Sequence, residues 1–242
     1  MKGIVEFVLV AAIAFLLVWA TYWHLMIGKT VEFQLMTNER DVLSTINKME
    51  QIKIGLPYAL RYSFEKAFYD LGQKGGYNAI PSNIPTKDGL PYWRYGNEFY
   101  IPKWYEETAK ATKIYLNEYI EKATGNSIYK EVKVDRSSVN ATSDELLVLK
   151  GSNCKVETNL NVSIFLDMNR FKVYEVAEEY VKNHCSEVFY CDTTDPDRVC
   201  AWYYQDKEEV LVIDERYKII IWNVTENSYE LVKPVLKFKI KC

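Results

Sequence analysis

Apolar positions follow three regimes along the chain. From Ile4 to Ile27 they form an almost unbroken run, interrupted by Glu6 and a few weakly polar residues. At about 1.5 Å rise per residue, a helix of that length matches a hydrocarbon core of roughly 30 Å. Trp19, Tyr22, Trp23 and His24 at its far end are rings of the kind that settle at a membrane–water interface. Residues 1–28 therefore predict a transmembrane anchor. From Lys29 to Ile54 there is no glycine or proline, and Leu35, Val42, Leu43, Ile46 and Met49 recur at three- and four-residue steps opposite Glu39, Asp41, Lys48 and Glu50. That period predicts an amphipathic continuation of the same helix. Gly55-Leu56-Pro57 predicts a break, with Pro57 opening the next helix. Leu60, Phe64, Phe68 and Leu71 mark the apolar face of that helix, and the glycine cluster from Gly72 to Gly76 marks its end.

Residues 77–103 hold Pro81, Pro85, Pro91 and Pro102 together with Tyr92, Trp93, Tyr95, Phe99 and Tyr100. An irregular segment of this length inside a domain is often a functional loop, and its rings offer stacking surface for a sugar or a protein. Tyr92, Trp93 and Tyr95 are the candidate ligand-binding residues. Trp104 to Thr124 reads as a further helix, with Trp104, Thr108, Ala111, Tyr115 and Tyr119 on one side and Gly125-Asn126 as its end. The apolar period then shifts to two. Strands are predicted near 128–134, 145–149, 156–166, 188–190, 199–204, 210–213, 217–222 and 229–240, with one helix over Lys172 to Asn183. Helices first and strands afterwards predict an α+β fold. The regions are a transmembrane anchor (1–28), a helical extracytoplasmic region (29–125) and a mostly antiparallel β region (126–242) with disulfides.

Composition adds compartment to this picture. The net charge of the 242-residue chain is −3, with charges interspersed, so nothing resembles the basic footprint of a nucleic-acid binder. Cys154, Cys185, Cys191, Cys200 and Cys242 all lie in the C-terminal part and form no C-x-x-C pair. They are candidate disulfide cysteines of an oxidising compartment. Three sequons, at Asn140, Asn161 and Asn223, are candidate glycosylation sites and agree with export. Cysteines and sequons together orient the anchor: N-terminus cytoplasmic, C-terminal domain outside, in a single-pass cell-membrane protein.

The opening residues Lys2-Gly3-Ile4-Val5-Glu6-Phe7-Val8-Leu9-Val10 resemble the start of type IV pilin-like proteins, especially the tight-adherence pseudopilins. The resemblance covers this stretch alone. It implies cleavage by a prepilin peptidase between Gly3 and Ile4, and packing of the helix in a filament or its assembly machine. Glu6 would be the helix's acidic residue; it stands third after the cut, whereas the family's glutamate stands fifth. A carboxylate within an apolar segment usually marks function. Pilin-like start, sequons and disulfides together fit an archaeal surface protein.

Catalytic chemistry finds little support. His184 is the sole histidine beyond the apolar segment and adjoins Cys185, but chain neighbours rarely point at one another. Asp192, Asp195 and Asp197 cluster between Cys191 and Cys200 without the spacing of a calcium loop. No serine elbow, zinc motif, Walker loop or dinucleotide fingerprint is present. The expectation is a non-enzymatic surface protein with no cofactor and no metal site. Its role would be structural or in assembly, as a pilin-like component of a secretion or pilus system, with the membrane and other membrane or filament subunits as partners. The alternative is a membrane-anchored ligand- or glycan-binding ectodomain (an adhesin), and after it an ectoenzyme.

Overall fold

A computed structural model describes residues 2–125, 127–152, 154–167, 169–185, 187–191, 199–223 and 228–241, with side chains except for 2–17, 28–36, 222 and 223. The chain is α+β, and its contacts divide it into two compact units. One unit comprises Met1–Gln51 and Val148–Glu157; the other comprises Ile52–Leu147 and Thr158–Cys242.

The transmembrane anchor expected over residues 1–28 is not supported. Among the described residues no helix is long and apolar enough to cross a membrane. The single-pass membrane location and its orientation fall with the anchor.

Helix α1 runs without interruption over Lys2–Gln73 and contains Pro57, so the predicted break at Gly55-Leu56-Pro57 is absent. Proline removes one backbone donor, but Leu56, Ala59, Leu60 and Phe64 around it are buried. Tertiary packing of that face outweighs the lost bond. In the first unit the packed side of α1 is marked by Thr45 and Met49. There the hairpin of β6 (Leu147–Lys150) and β7 (Lys155–Thr158) brings Cys154 Sγ within 3.4 Å of Thr45 Oγ1.

In the second unit the main sheet has the order β1–β2–β14–β11–β10–β9, with β3 hydrogen-bonded to β2. The strands are β1 (Thr86–Lys87), β2 (Leu90–Tyr95), β3 (Glu98–Phe99), β9 (Phe189–Cys191), β10 (Val199–Tyr204), β11 (Glu209–Asp214) and β14 (Val235–Lys241). All pairs are antiparallel except β14 with β2, which run parallel. The segment 77–103 is thus tied into the C-terminal sheet instead of belonging to a helical region. Helix α3 (Lys172–Asn183) covers β10, β11 and β14 and buries Val173, Tyr174, Val176, Ala177, Tyr180 and Val181.

A second sheet, β4 (Tyr129–Val134), β5 (Ser138–Ser143) and β8 (Val162–Phe165), lies beside helix α2 (Trp104–Thr124). Asn117 of α2 fixes β4 through two bonds, Nδ2 donating to the Tyr129 carbonyl and Oδ1 accepting its N–H, each 2.9 Å. Strands β12 (Ile219–Asn223) and β13 (Ser228–Val232) form a separate hairpin. The core between α1, α3 and the main sheet is aromatic: Phe68 meets Phe171 and Tyr174 edge-on at 5.5 and 5.3 Å, and Trp93 stacks on Phe238 at 4.2 Å.

Candidate functional site

The aromatic segment is positioned by strand pairing. Trp93 is fully buried in β2, and its indole N–H donates to the Gly75 carbonyl at 2.9 Å. Tyr92 is buried too, and its hydroxyl donates to Glu208 at 2.6 Å; burial first, and that bond second, push its ionisation upward. Neither ring has a face to offer a ligand, which corrects their reading as recognition residues. The reason is the parallel β2–β14 pairing, which turns Trp93 into the core. Tyr95, edge-on to Tyr92 at 5.3 Å, is the one member of the trio that remains exposed.

Other candidates are dispersed. Gly3, Ile4 and Glu6 lie outside the residues whose side chains are described, as does Asn223. Asn140 is half-buried in β5, which is paired on both sides by β4 and β8; this is not the exposed-loop placement of a glycan acceptor. Asn161 is exposed, and its side-chain oxygen accepts the Ser143 N–H at 3.1 Å. Cys191 and Cys200 are disulfide-bonded across β9 and β10. Cys185 is disulfide-bonded as well, so it offers His184 no thiol. The His184 ring stacks on Tyr190 at 4.1 Å, with Nδ1 2.8 Å from Glu187 Oε1. Cys154 is a free thiol, which corrects its reading as a disulfide candidate. Cys242, Asp192, Asp195 and Asp197 lie outside the described residues. Among the described residues no group of three or more His, Cys, Asp or Glu side chains is placed to hold a metal.

Two of the buried charges, Asp214 and Lys239, are satisfied locally. Asp214, fully buried, takes Arg216 Nε at 2.9 Å and Nη2 at 2.7 Å. Lys239, equally buried, donates to the Lys207 carbonyl at 2.8 Å and lies 3.3 and 3.6 Å from Asp88 and Glu209. Glu65 is held above the usual carboxylate range by burial, which outweighs the Arg170 and Arg61 guanidinium charges.

The surface that departs most from ordinary globular chemistry is on α1. Within residues 18–27 only Thr21 and His24 are polar, and Val18, Trp19, Tyr22, Trp23, Leu25, Met26 and Ile27 are all exposed, Trp23 by 60%. Trp19, Trp23 and Ile27, spaced four apart, line a shallow groove of about 510 Å³ with Ala20 and His24. Val42, Leu43 and Ile46 farther along are exposed as well, Leu43 by 60%. Of the stripe read from the spacing, Val42, Leu43 and Ile46 face outward, whereas Met49 is packed, together with the polar Thr45. Leu35 lies outside the described side chains. Periodicity alone carried no signal for that choice, because the covering hairpin lies a hundred residues away in sequence. A helix that is apolar all round is one that is buried in its working state. No protein-family model, curated protein or solved structure matches the chain.

Proposed function

We propose that the chain is a non-enzymatic structural subunit, pilin-like in organisation, that assembles with further subunits through α1. The observation that carries this reading is the exposed apolar surface of residues 18–27, extended by Val42, Leu43 and Ile46. Contiguous apolar surface of this kind marks interaction sites. Covering one large apolar side chain contributes about 1.5–3 kcal/mol, while association costs about 4–15 kcal/mol in lost freedom. One tryptophan does not hold such a complex; ten large side chains do. The likeness of residues 2–10 to pilin-like starts points the same way, as does a helix of 72 residues whose C-terminal part is built into an antiparallel-rich head.

Sedimentation velocity on the full chain tests the reading. Over about 1–100 µM, the native chain should form concentration-dependent oligomers. The triple variant Trp19→Ser/Trp23→Ser/Ile27→Ser should sediment as a monomer with an unchanged circular dichroism spectrum. A native chain that stays monomeric across that range, or a variant that associates equally well, refutes it.

A further inference from the structure

A second surface has a different chemistry. Tyr58, Ala59 and Tyr62 of α1, Tyr119 of α2 and Tyr229 of β13 line a cleft of about 440 Å³, a size typical of small-ligand sites. Three of its rings are unusually open, with Tyr58 exposed by 75%, Tyr229 by 69% and Tyr119 by 50%. Three other phenols are used in packing: the hydroxyls of Tyr77, Tyr129 and Tyr180 each donate to a backbone carbonyl. In the cleft, the hydroxyls of Tyr58, Tyr62 and Tyr119 have no hydrogen-bond partner among the described residues, and no ring contact joins these three side chains.

The lining selects the ligand class. It contains no Arg or Lys, so it does not suit an anion, nor a single-stranded nucleic acid, whose backbone needs a positive groove. It contains no carboxylate either. Purely apolar ligands would leave the phenolic hydroxyls unpaired on desolvation, a penalty that favours ligands able to bond them. Open rings, each with an apolar face and a polar tip, suit an extended molecule whose units also have an apolar face and a hydroxylated rim. We propose that this cleft binds a neutral carbohydrate chain, with the rings of Tyr58, Tyr119 and Tyr229 against successive sugar faces and the phenols bonding sugar hydroxyls. The site is independent of association through residues 18–27.

Saturation-transfer NMR and titration calorimetry on the full chain test it, with maltohexaose, cellohexaose and mannohexaose as probes. At least one should bind, with a Kd of about 0.1–1 mM. Tyr119→Ala and Tyr229→Ala should each weaken that binding by about threefold to tenfold, the worth of one ring contact. Tyr119→Phe, which keeps the ring, should lose less, and Tyr95→Ala, outside the cleft, should change nothing. Both alanine positions are exposed, and circular dichroism checks that the variants fold. The proposal is overturned if none of the three sugars binds, or if binding ignores both alanine variants. It is equally overturned if tetramethylammonium displaces the sugar, which would make the cleft a cation cage. A Tyr119→Ala variant that changes sedimentation without changing sugar binding would make it an interface between copies, and overturns it too.

Discussion

Replacing Gly72 by alanine tests the closest approach in the fold. In an ordinary helix interior the change stabilises by about 1 kcal/mol, because alanine loses less backbone entropy. At Gly72 the added Cβ would stand 2.1 Å from the Val235 carbonyl oxygen and 3.2 Å from its carbon. Real Cβ contacts are not that short, so either α1 or β14 must move. β14 is clamped between β2 and β11, and Leu236, beside the contact, is fully buried. The relief must therefore come from backbone, at the upper end of the about 1–3 kcal/mol typical of overpacked sites. Set against the propensity gain, Gly72→Ala should destabilise by about 2 kcal/mol. With a urea m-value of about 2 kcal/mol/M, the unfolding midpoint falls by about 1 M. Gly55, in the same helix with nothing within 4 Å of its added Cβ, is the internal control: Gly55→Ala should raise the midpoint by up to about 0.5 M. Urea unfolding followed by tryptophan fluorescence and circular dichroism reads both. A Gly72→Ala variant as stable as Gly55→Ala would refute the contact between α1 and β14 and the packing built on it.

Trp93→Ala should cost about 3–5 kcal/mol by the same assay, from a large buried ring and an indole bond lost together; a loss below about 1 kcal/mol would mean the ring is not core. Glu208 yields a pH signature. Hydrogen bonds from Tyr92 and then Lys87 hold its carboxylate ionised and lower its pKa. A folded-state pKa below the unfolded value, about 4.3, gives stabilisation that is complete above that pH and is lost as pH falls through the folded pKa. The urea-midpoint gap between native chain and Glu208→Gln should thus be open at neutral pH and close towards pH 3; a gap constant with pH refutes the bond network.

Local pattern was sufficient where an element carries its own period and its own stop. Trp104–Thr124 and Lys172–Asn183 match their predicted ends, and Gly125 closes the first with φ at 79°, a left-handed cap that glycine adopts without strain. It failed where a distant segment decides. Ser138–Ser143 has only Val139 and Ala141 as apolar residues, yet it is the central strand between β4 and β8. The proline-rich segment looked like a loop because its partner, β14, lies at the other end of the sequence. The spacing along α2 puts Trp104, Thr108, Ala111, Tyr115 and Tyr119 on one side of the helix. Thr108 and Ala111 of that side are buried together with the flanking Leu116 and Ile120, but Tyr119 faces solvent. The tyrosine cleft draws on three elements, so no spacing along the chain could reveal it.

The seating of β14 between β2, which it runs parallel to, and β11, which it runs antiparallel to, also sets a schedule for biosynthesis. Residues 90–95 leave the ribosome long before residues 235–241 exist, so β2 must wait with its pairing edge open while the intervening chain is made. β11, which follows later, waits as well. Both edges are templates for mispairing in the interval, and long-range closure of this kind is slow. The nascent chain therefore passes through a window with both edges unpaired, and a product truncated before residue 235 would carry two open edges that invite aggregation.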